Sequence, residues 1–144
     1  MKSRSDNLIK TVGTVILFCY IVLVYSNTVF FRKTTVDYIY NFQPFWSYEA
    51  IANGKESLIV EHILNILLFI PIGFITGFVF ASKRWWKVIL FGFGISVSIE
   101  AMQFFFKKGF AEFDDVMHNT LGCLLGFLLF LVVNKIVNKS FKTE

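Results

Sequence analysis

Three groups of polar residues interrupt otherwise apolar stretches of this sequence. They are Glu61, His62 and Asn65; Ser96, Glu100 and Gln103; and Asp114, Asp115, His118 and Asn119. Ionisable side chains are costly to bury in membrane-length apolar runs, so each requires a structural or functional reason. In such places carboxylates and imidazoles act as general bases, as metal ligands or as hydrogen-bond partners of a polar ligand.

Less specific explanations exist for the charged residues at the helix starts. Asp114 or Asp115 can cap the start of a helix, where the helix dipole favours an anion, although capping accounts for one of the two acids. Glu61 can lie at the membrane interface near another helix start. His62 and His118 are more often satisfied by hydrogen bonds than used in catalysis.

A purely structural role explains the amide residues Asn65 and Gln103 better than it explains Glu100. The side chains of Asn65 and Gln103 can form hydrogen bonds that hold neighbouring helices together. Glu100 lies well inside an apolar run, where a carboxyl group is expensive to bury. We therefore expect Glu100 to have a functional or organising role.

The elements that must position these residues are four apolar segments. Of 144 residues, 56% are apolar and 17% are charged, a balance unlike that of a water-soluble domain. The segments cover about 12–31, 58–81, 86–106 and 116–133, each close to the roughly 20 residues that a membrane helix needs. They do not alternate in polarity as barrel strands would. The sequence predicts an all-α integral membrane protein, a bundle of four transmembrane helices.

The lysines and arginines predict the orientation of this bundle. The tails 1–11 and 134–144 and the turn between the second and third segments hold nine of the 14 basic residues. Cytoplasmic connections carry the excess of positive charge, so we expect both termini in the cytoplasm. The first segment lacks a small-residue cleavage pattern and stays apolar to Phe31, so we expect an uncleaved anchor rather than a signal peptide.

This orientation brings the three polar groups to the outer end of the bundle. At 1.5 Å per residue, Asn65 and Glu100 each lie roughly 10 Å below the outer ends of their helices. The sequence therefore predicts a shared, partly hydrated pocket in the outer leaflet. The aromatic outer connection, residues 32–57, would lie over it.

Small residues predict how the helices approach one another. Gly73 and Gly77 form a GxxxG pair in the second helix, and Gly122 and Gly126 form another in the fourth. Such pairs permit close contact between helices, which we expect within the chain. Pro71 removes a backbone donor inside the second helix and can kink it there.

Several partners are not expected. Cys19 and Cys123 lie in apolar runs without the spacing of a disulfide framework or a zinc site. The net charge of +4 comes from short basic clusters between apolar runs, which orientation in the membrane explains better than nucleic-acid binding. We expect no cofactor, no metal and no nucleic acid, and the lipid bilayer as the principal partner.

Four motifs in order give the sequence a family resemblance. They are NFQPFWSY at 41–48, NILLFIPIG at 65–73, EAMQ at 100–103 and DDVMHNTLG at 114–122. Together they resemble the VanZ-like family of bacterial membrane proteins, named for a protein associated with teicoplanin resistance. The similarity runs from about Asn41 to Gly126. Each motif alone is weak, whereas their order and spacing are fairly specific.

The resemblance implies a four-helix domain, residues 12–133, in the bacterial cytoplasmic membrane, with a role in the cell envelope. The recurring family positions that we assign to a binding pocket are Asn41, Pro44, Phe45, Asn65, Glu100, Gln103, Asp115 and Asn119. Those assigned to helix packing are Pro71, Gly73, Gly77, Gly122 and Gly126. Many members carry an arginine shortly before the Asp motif, where this chain offers Lys108 as the nearest substitute. Lysine provides a point charge and no bidentate fork.

Two functions of different classes follow. The first is a non-enzymatic envelope protein that binds a lipid-linked envelope precursor or a lipoglycopeptide, lowering susceptibility to teicoplanin-type compounds. The second is a membrane-embedded enzyme acting on a lipid-linked envelope precursor, with Glu100, Asp115, His62 or His118 as catalytic residues. The sequence has no HExxH motif and no nucleophile–base pair, so it favours the first. An autonomous transporter is disfavoured because four helices without repeats do not resemble a carrier.

Overall fold

Long apolar helices make up most of the chain. The computed structural model describes residues 2–80 and 85–140, with side chains from Asn7 onward. In chain order its helices are α1 (Lys2–Tyr25), α2 (Trp46–Ala52), α3 (Ser57–Phe80), α4 (Trp85–Phe105) and α5 (Phe113–Ser140). All except α2 contain a stretch long and apolar enough to cross a membrane. The predicted all-α class, with four helices long and apolar enough to span a membrane, is therefore confirmed for these residues, while the orientation of the termini stays a prediction.

The helix ends differ from the predicted ones mainly in α1 and α5. Helix α1 begins at Lys2 rather than near residue 12, and α5 extends from Phe113 to Ser140 rather than over 116–133. The length of an apolar run indicates only the part of a helix that can lie in the hydrocarbon core. The flanking residues, which include lysines and asparagines, contain nothing that stops a helix. The predicted positions Ala81, Lys83, Arg84 and Lys142 lie outside the described residues.

A π-helical turn at Ser26–Phe30 completes the first span. Its last backbone bond runs from the Phe31 N–H to the carbonyl of Ser26, at 2.9 Å. The side chains of Ser26, Asn27 and Thr28 each donate to the carbonyl four residues earlier, at 2.8 Å. These side chains compete for the carbonyls of the normal helical ladder, which favours the wider turn.

Helices α3 and α5 are in direct backbone contact through glycines. The facing pairs are Gly73 with Cys123, Gly122 with Ile66 and Gly126 with Ile70. At each pair an added Cβ would overlap the opposing backbone, so only glycine permits this approach. Gly77 lies against the rings of Phe127 and Phe130. Pro71 lies within α3, which remains helical from Ser57 to Phe80.

Helix α1 packs on α3 and α4 through tyrosines. The Tyr20 hydroxyl donates to the carbonyl of Leu68 at 3.0 Å, and Tyr25 shares a hydrogen bond with Ser98. The apolar core between the helices includes Val24, Phe69, Ile72, Ile99 and Phe127, all almost fully buried. Tyrosine hydroxyls inside such a core require partners, and these bonds supply them.

The connections 31–56 and 106–112 form a structured end of the bundle, called here the loop end. Strand β1 (Ile39–Asn41) pairs in parallel with β2 (Phe110–Glu112), so that Asn41 lies beside Glu112. Parallel pairing requires a long crossover, which α2, α3 and α4 provide. The rings of Tyr38, Tyr40 and Phe42 pack on Phe104 at 5.1, 5.3 and 6.1 Å between centroids. The aromatic connection therefore lies against the end of α4.

Candidate functional site

Asp114 anchors the loop end to the first turn of α5. Its carboxylate accepts hydrogen bonds from the backbone N–H of Phe45 at 2.7 Å and of Ser47 at 3.0 Å, and from the Ser47 hydroxyl at 2.5 Å. Phe45 has a left-handed backbone, with φ of 64°, and its side chain does not cap α2. Asp114 therefore satisfies free donors at the start of α2. The sequence predicted that Asp114 or Asp115 caps α5, whereas the hydrogen bonds described for Asp114 go to the start of α2.

Glu100 and Glu112 continue this acidic arrangement. The backbone N–H of Glu112 donates to Glu100 Oε2 at 2.9 Å, and Trp46 Nε1 donates to Glu112 Oε2 at 3.0 Å. Both side chains are buried. Burial raises the pKa of Glu112 to about 8, and the negative charges of Asp115 and Glu61 act in the same direction. We call Glu100, Glu112, Asp114 and Asp115 the acidic cluster.

Asp115 connects α5 to α3 and to a basic residue that the sequence analysis missed. Its carboxylate hydrogen-bonds with Asn65 and is attracted by Arg32, whose charge also acts on Glu100. The Arg32 side chain lies against Gly109, where an added Cβ would stand 2.9 Å from its Nη1. The absent side chain at Gly109 makes room for this guanidinium.

Lys108, the nearest substitute for the family's arginine before the Asp motif, does not act as the cation of the acidic cluster. Its ammonium donates to the backbone carbonyl of Arg32 at 3.3 Å, so it supports the loop that carries the arginine. The cation whose charge acts on Glu100 and Asp115 is Arg32. Arg32 lies far from the Asp motif in the sequence, so no local pattern could have identified it.

The two interior amides have different partners. Asn119 Nδ2 donates to Ser96 Oγ at 2.9 Å, joining α5 to α4. Gln103 Nε2 donates to the carbonyl of Thr28 at 2.9 Å, which ties α4 to the first span. The Oδ1 of Asn119 and the Oε1 of Gln103 are buried and have no hydrogen-bond partner within the described residues. Each is an acceptor available to a water molecule or a ligand donor.

The histidines form a stacked pair beneath α2. The rings of His62 and His118 lie 3.9 Å apart, and the Tyr48 hydroxyl is 2.8 Å from His118 Nε2. The Nδ1 of His118 is buried without a partner among the described residues. This pair therefore has tertiary contacts of its own, and whether either histidine takes part in catalysis stays a prediction.

The predicted pocket residues of the outer connection, Asn41, Pro44 and Phe45, have separate environments. Asn41 Oδ1 accepts from the N–H of Gln43 at 2.9 Å and so stabilises the local turn. Pro44 is exposed. Phe45 gives its N–H to Asp114, while its ring stays 58% exposed and faces Tyr48. The described contacts do not bring the side chains of Asn41, Pro44 and Phe45 into the acidic cluster.

An apolar cavity adjoins the acidic cluster. It has a volume of about 440 Å³ and lies along α4, β2 and the start of α5. Its apolar walls include Phe93, Val97, Ala101, Phe104, Phe113 and Val116. The polar groups that line it are Glu100 and Glu112, and the exposure of Phe93 and Val97 leaves it open on the side. We call it the side groove.

The carboxylates of the acidic cluster can accept hydrogen bonds beside the apolar wall of the side groove. No group of three or more His, Cys, Asp and Glu in the described ranges is arranged to hold a metal ion. Cys123 packs against Gly92 and the carbonyl of Val88, and it has no histidine beside it among these contacts. The carboxylates instead organise the loop end and border the side groove.

These features define a multi-pass membrane protein with buried carboxylates at one end of its bundle. The family described as VanZ/LLP1 matches residues 11–134, and the chain belongs to this family, as the sequence motifs predicted. It is 33% identical over 80 residues to "Protein VanZ" from Enterococcus faecium, covering 56% of this chain and 50% of that protein. The chain thus spans about half the length of this relative. No solved structure matches it.

Proposed function

We propose that this protein acts in the envelope of a bacterial cell from the cytoplasmic membrane, with its loop end facing outwards. There it binds an amphiphilic envelope molecule or a lipoglycopeptide and lowers susceptibility to teicoplanin-type compounds. The family assignment supports a VanZ-like role, and the bound molecule is inferred from the chemistry of the acidic cluster.

One observation carries this proposal: buried carboxylates border an apolar, laterally open cavity at one end of the bundle. Glu100 and Glu112 line the side groove, whose other walls are hydrocarbon. Sites for small amphiphiles are mostly apolar, with a few placed polar groups that fix orientation. Burying acids without such a purpose is costly within a membrane protein.

The charge distribution supports the outward orientation. Nine basic residues fall in the sequence ranges 1–11, 81–87 and 134–144, while the connections at the loop end share five. Positive charge favours the cytoplasmic side, so the loop end would face the envelope. A ligand of the cell wall or outer leaflet would reach the acidic cluster from there.

Arg32 is the residue we expect to complete the site. Its charge acts on both Glu100 and Asp115, and its side chain is exposed at the loop end. A guanidinium donates several hydrogen bonds in a fixed plane, which suits the orientation of a carboxylate or phosphate of a ligand. Arg32 would thus bind a ligand group while it balances the buried acids.

The first test is whether expression protects cells. The chain should raise the teicoplanin concentration needed to inhibit a susceptible host above that of the empty vector. Arg32→Gln should abolish the increase, whereas Lys33→Gln should keep it, because Lys33 is adjacent and basic but is not among the charges that act on Glu100 or Asp115. Equal protection by the two variants, at equal membrane amounts, would contradict the role of Arg32. Absence of any protection by the parent would contradict the proposed function.

The enzymatic alternative has its own measurement. Purified protein incubated with lipid-linked wall precursors should leave them unchanged if the site only binds. The hydrogen bonds that Glu100, Glu112 and Asp114 already accept favour this result, because these carboxylates hold backbone and indole donors. Turnover that disappears in Glu100→Gln or Asp115→Asn would establish the enzyme instead.

A further inference from the structure

Two segments at the loop end carry the same short pattern, a pair of phenylalanines followed by a pair of basic residues. The pattern reads FFRK at 30–33, where the π-helical turn ends, and FFKK at 105–108, where α4 ends. These segments hold four of the five basic residues in the connections of the loop end. In the proposed outward orientation few basic residues are expected on this side, so their concentration here requires a reason of its own.

Hydrogen bonds hold the two segments side by side. The backbone N–H of Thr35 donates to the carbonyl of Lys107 at 2.8 Å, and the Lys107 ammonium donates in return to the carbonyl of Val36 at 2.9 Å. The Lys108 ammonium donates to the carbonyl of Arg32 at 3.3 Å. Contacts between residues more than 70 positions apart thus bring together Arg32, Lys107 and Lys108, called here the basic patch.

The backbone of Lys107 is unusual for a lysine. Its φ is 53°, in the left-handed region, at the end of a helix where glycine is the usual residue. Glycine would adopt this turn without strain, so the side chain of Lys107 is retained against the preference of the backbone. Its ammonium uses one of three N–H donors on Val36, and the others are available to an anion.

The charges of the basic patch are only partly balanced inside the protein. Arg32 acts on Asp115 and Glu100, yet its guanidinium forms no hydrogen bond within the described residues. The two lysines of the patch donate to backbone carbonyls, which carry no net charge. Asp37, an exposed acid in the same connection, forms no ion pair with them in the described part of the chain. A surplus of positive charge therefore faces outwards from the patch.

The phenylalanines place this charge beside hydrocarbon. Phe30 is 60% exposed and Phe105 is 71% exposed, and each is the last residue of a segment long and apolar enough to cross a membrane. Basic residues directly beyond such an end lie at the level of the lipid head groups, where they attract anionic lipids. A guanidinium beside ammonium groups suits a phosphate in particular.

We infer that the basic patch binds one anionic phospholipid, its phosphate between Arg32, Lys107 and Lys108 and its chains against the exposed rings of Phe30 and Phe105. This site goes beyond the proposed function and shares only Arg32 with it. Hydrocarbon contact distinguishes the lipid from a soluble phosphate, and the surplus of positive charge distinguishes it from a zwitterionic lipid.

Native mass spectrometry of the full chain in a non-ionic detergent measures the first bound lipid directly. The protein receives equal amounts of phosphatidylglycerol and phosphatidylcholine with identical chains. The parent should prefer phosphatidylglycerol roughly tenfold, which corresponds to about 1.4 kcal/mol. Glycerol phosphate at the concentration of the lipid should not displace it, because it has no chains to bury.

The variants separate the basic patch from general attraction by a charged surface. Lys107→Gly removes a charge and also relieves the left-handed backbone, so it should unfold like the parent and lose most of the preference. Lys108→Gln should lose it as well, whereas Lys108→Arg keeps the charge and should retain it. Lys55→Gln is the matched control, because Lys55 lies at the same end of the bundle and no contact in the described residues joins its side chain to the patch.

Equal binding of the two lipids by the parent, or an equal loss of preference in Lys55→Gln and Lys107→Gly, would overturn the inference. Displacement by glycerol phosphate would exclude a lipid as the occupant. Lower unfolding temperatures with an unchanged preference in Lys107→Gly and Lys108→Gln would show that these lysines only support the fold. The assay uses no antibiotic, so the lipid preference can fail while teicoplanin protection holds, and the reverse.

Discussion

Asp114 and Ser47 are joined by two hydrogen bonds, one from the Ser47 backbone N–H at 3.0 Å and one from its hydroxyl at 2.5 Å. Both residues are fully buried. The pair links the first turn of α5 to the first turn of α2, although the two residues are far apart in the sequence. The structure of the loop end therefore depends on an acid that the sequence suggested for a cap on its own helix.

Replacement of Asp114 should release the loop end. Asp114→Ala leaves two buried donors of Ser47 and the partly buried Phe45 N–H without an acceptor, which should cost about 3 kcal/mol or more, whereas Ser47→Ala should cost about 1 kcal/mol. Thermal unfolding in detergent measures both changes. Asp37→Ala, an exposed acid in the same connection, is the control and should unfold like the parent. Equal unfolding temperatures for Asp114→Ala and Asp37→Ala would show that the anchor does not stabilise the fold.

The close contact of α3 with α5 gives a second prediction. A Cβ at Gly122 would overlap the backbone of Ile66, so Gly122→Ala should destabilise the protein by about 1–3 kcal/mol or more. Gly94 has nothing within 4 Å of such a Cβ, and Gly94→Ala should be neutral or slightly stabilising, because alanine favours helix. Unfolding temperature and membrane accumulation measure the difference. A cost as large for Gly94→Ala as for Gly122→Ala would refute the packing argument.

The raised pKa of Glu112 predicts a pH dependence. An acid that binds its proton more tightly when folded contributes most stability below its ordinary pKa of 4.5, and loses that contribution as the pH rises to about 8. The parent should therefore lose more thermal stability than Glu112→Gln between about pH 5 and about pH 9. Glu49→Gln, exposed on α2, should follow the parent. Parallel profiles for the parent and Glu112→Gln would contradict the prediction.

The outward orientation of the loop end can be tested by labelling. Asn53 is exposed in the turn after α2, so a cysteine there should react with an impermeant thiol reagent on intact cells. Cysteines added at either terminus should stay unreactive until the cells are opened. A background in which Cys19 and Cys123 are replaced by alanine removes the native thiols. The opposite labelling pattern would place the acidic cluster on the cytoplasmic side.

The central part of each span could be predicted because a membrane fixes the length of an apolar helix. The glycines of α3 and α5 could also be predicted, since small residues four apart mark a close helix contact. The helix ends could not, because helical hydrogen bonding continues beyond the apolar run. Residues 2–11 and 134–140 are therefore helical where only tails were expected.

The geometry of the candidate site depends on contacts that a single sequence does not encode locally. Strands β1 and β2 have three residues each, too short for a periodic pattern, and their pairing crosses three helices. The Arg32 side chain lies against Gly109 although the two residues are far apart in the sequence. From the sequence, Lys108 was therefore the only nearby candidate for the basic residue beside the Asp motif. The grouping of Asn65 with Asp115 was predictable, because both lie near helix ends at one level of the bundle.

The most direct test of the account replaces its carboxylates without removing their shape. Glu100→Gln keeps an acceptor for the Glu112 N–H, and Asp115→Asn keeps a partner for Asn65. Both variants and the parent are compared for teicoplanin susceptibility beside quantitative membrane blotting, with Gly122→Leu as the variant expected to reduce the amount of protein. We predict that the two carboxylate variants accumulate like the parent and lose protection. Full protection by both, at parental amounts, would contradict a role for the ionisable groups of Glu100 and Asp115.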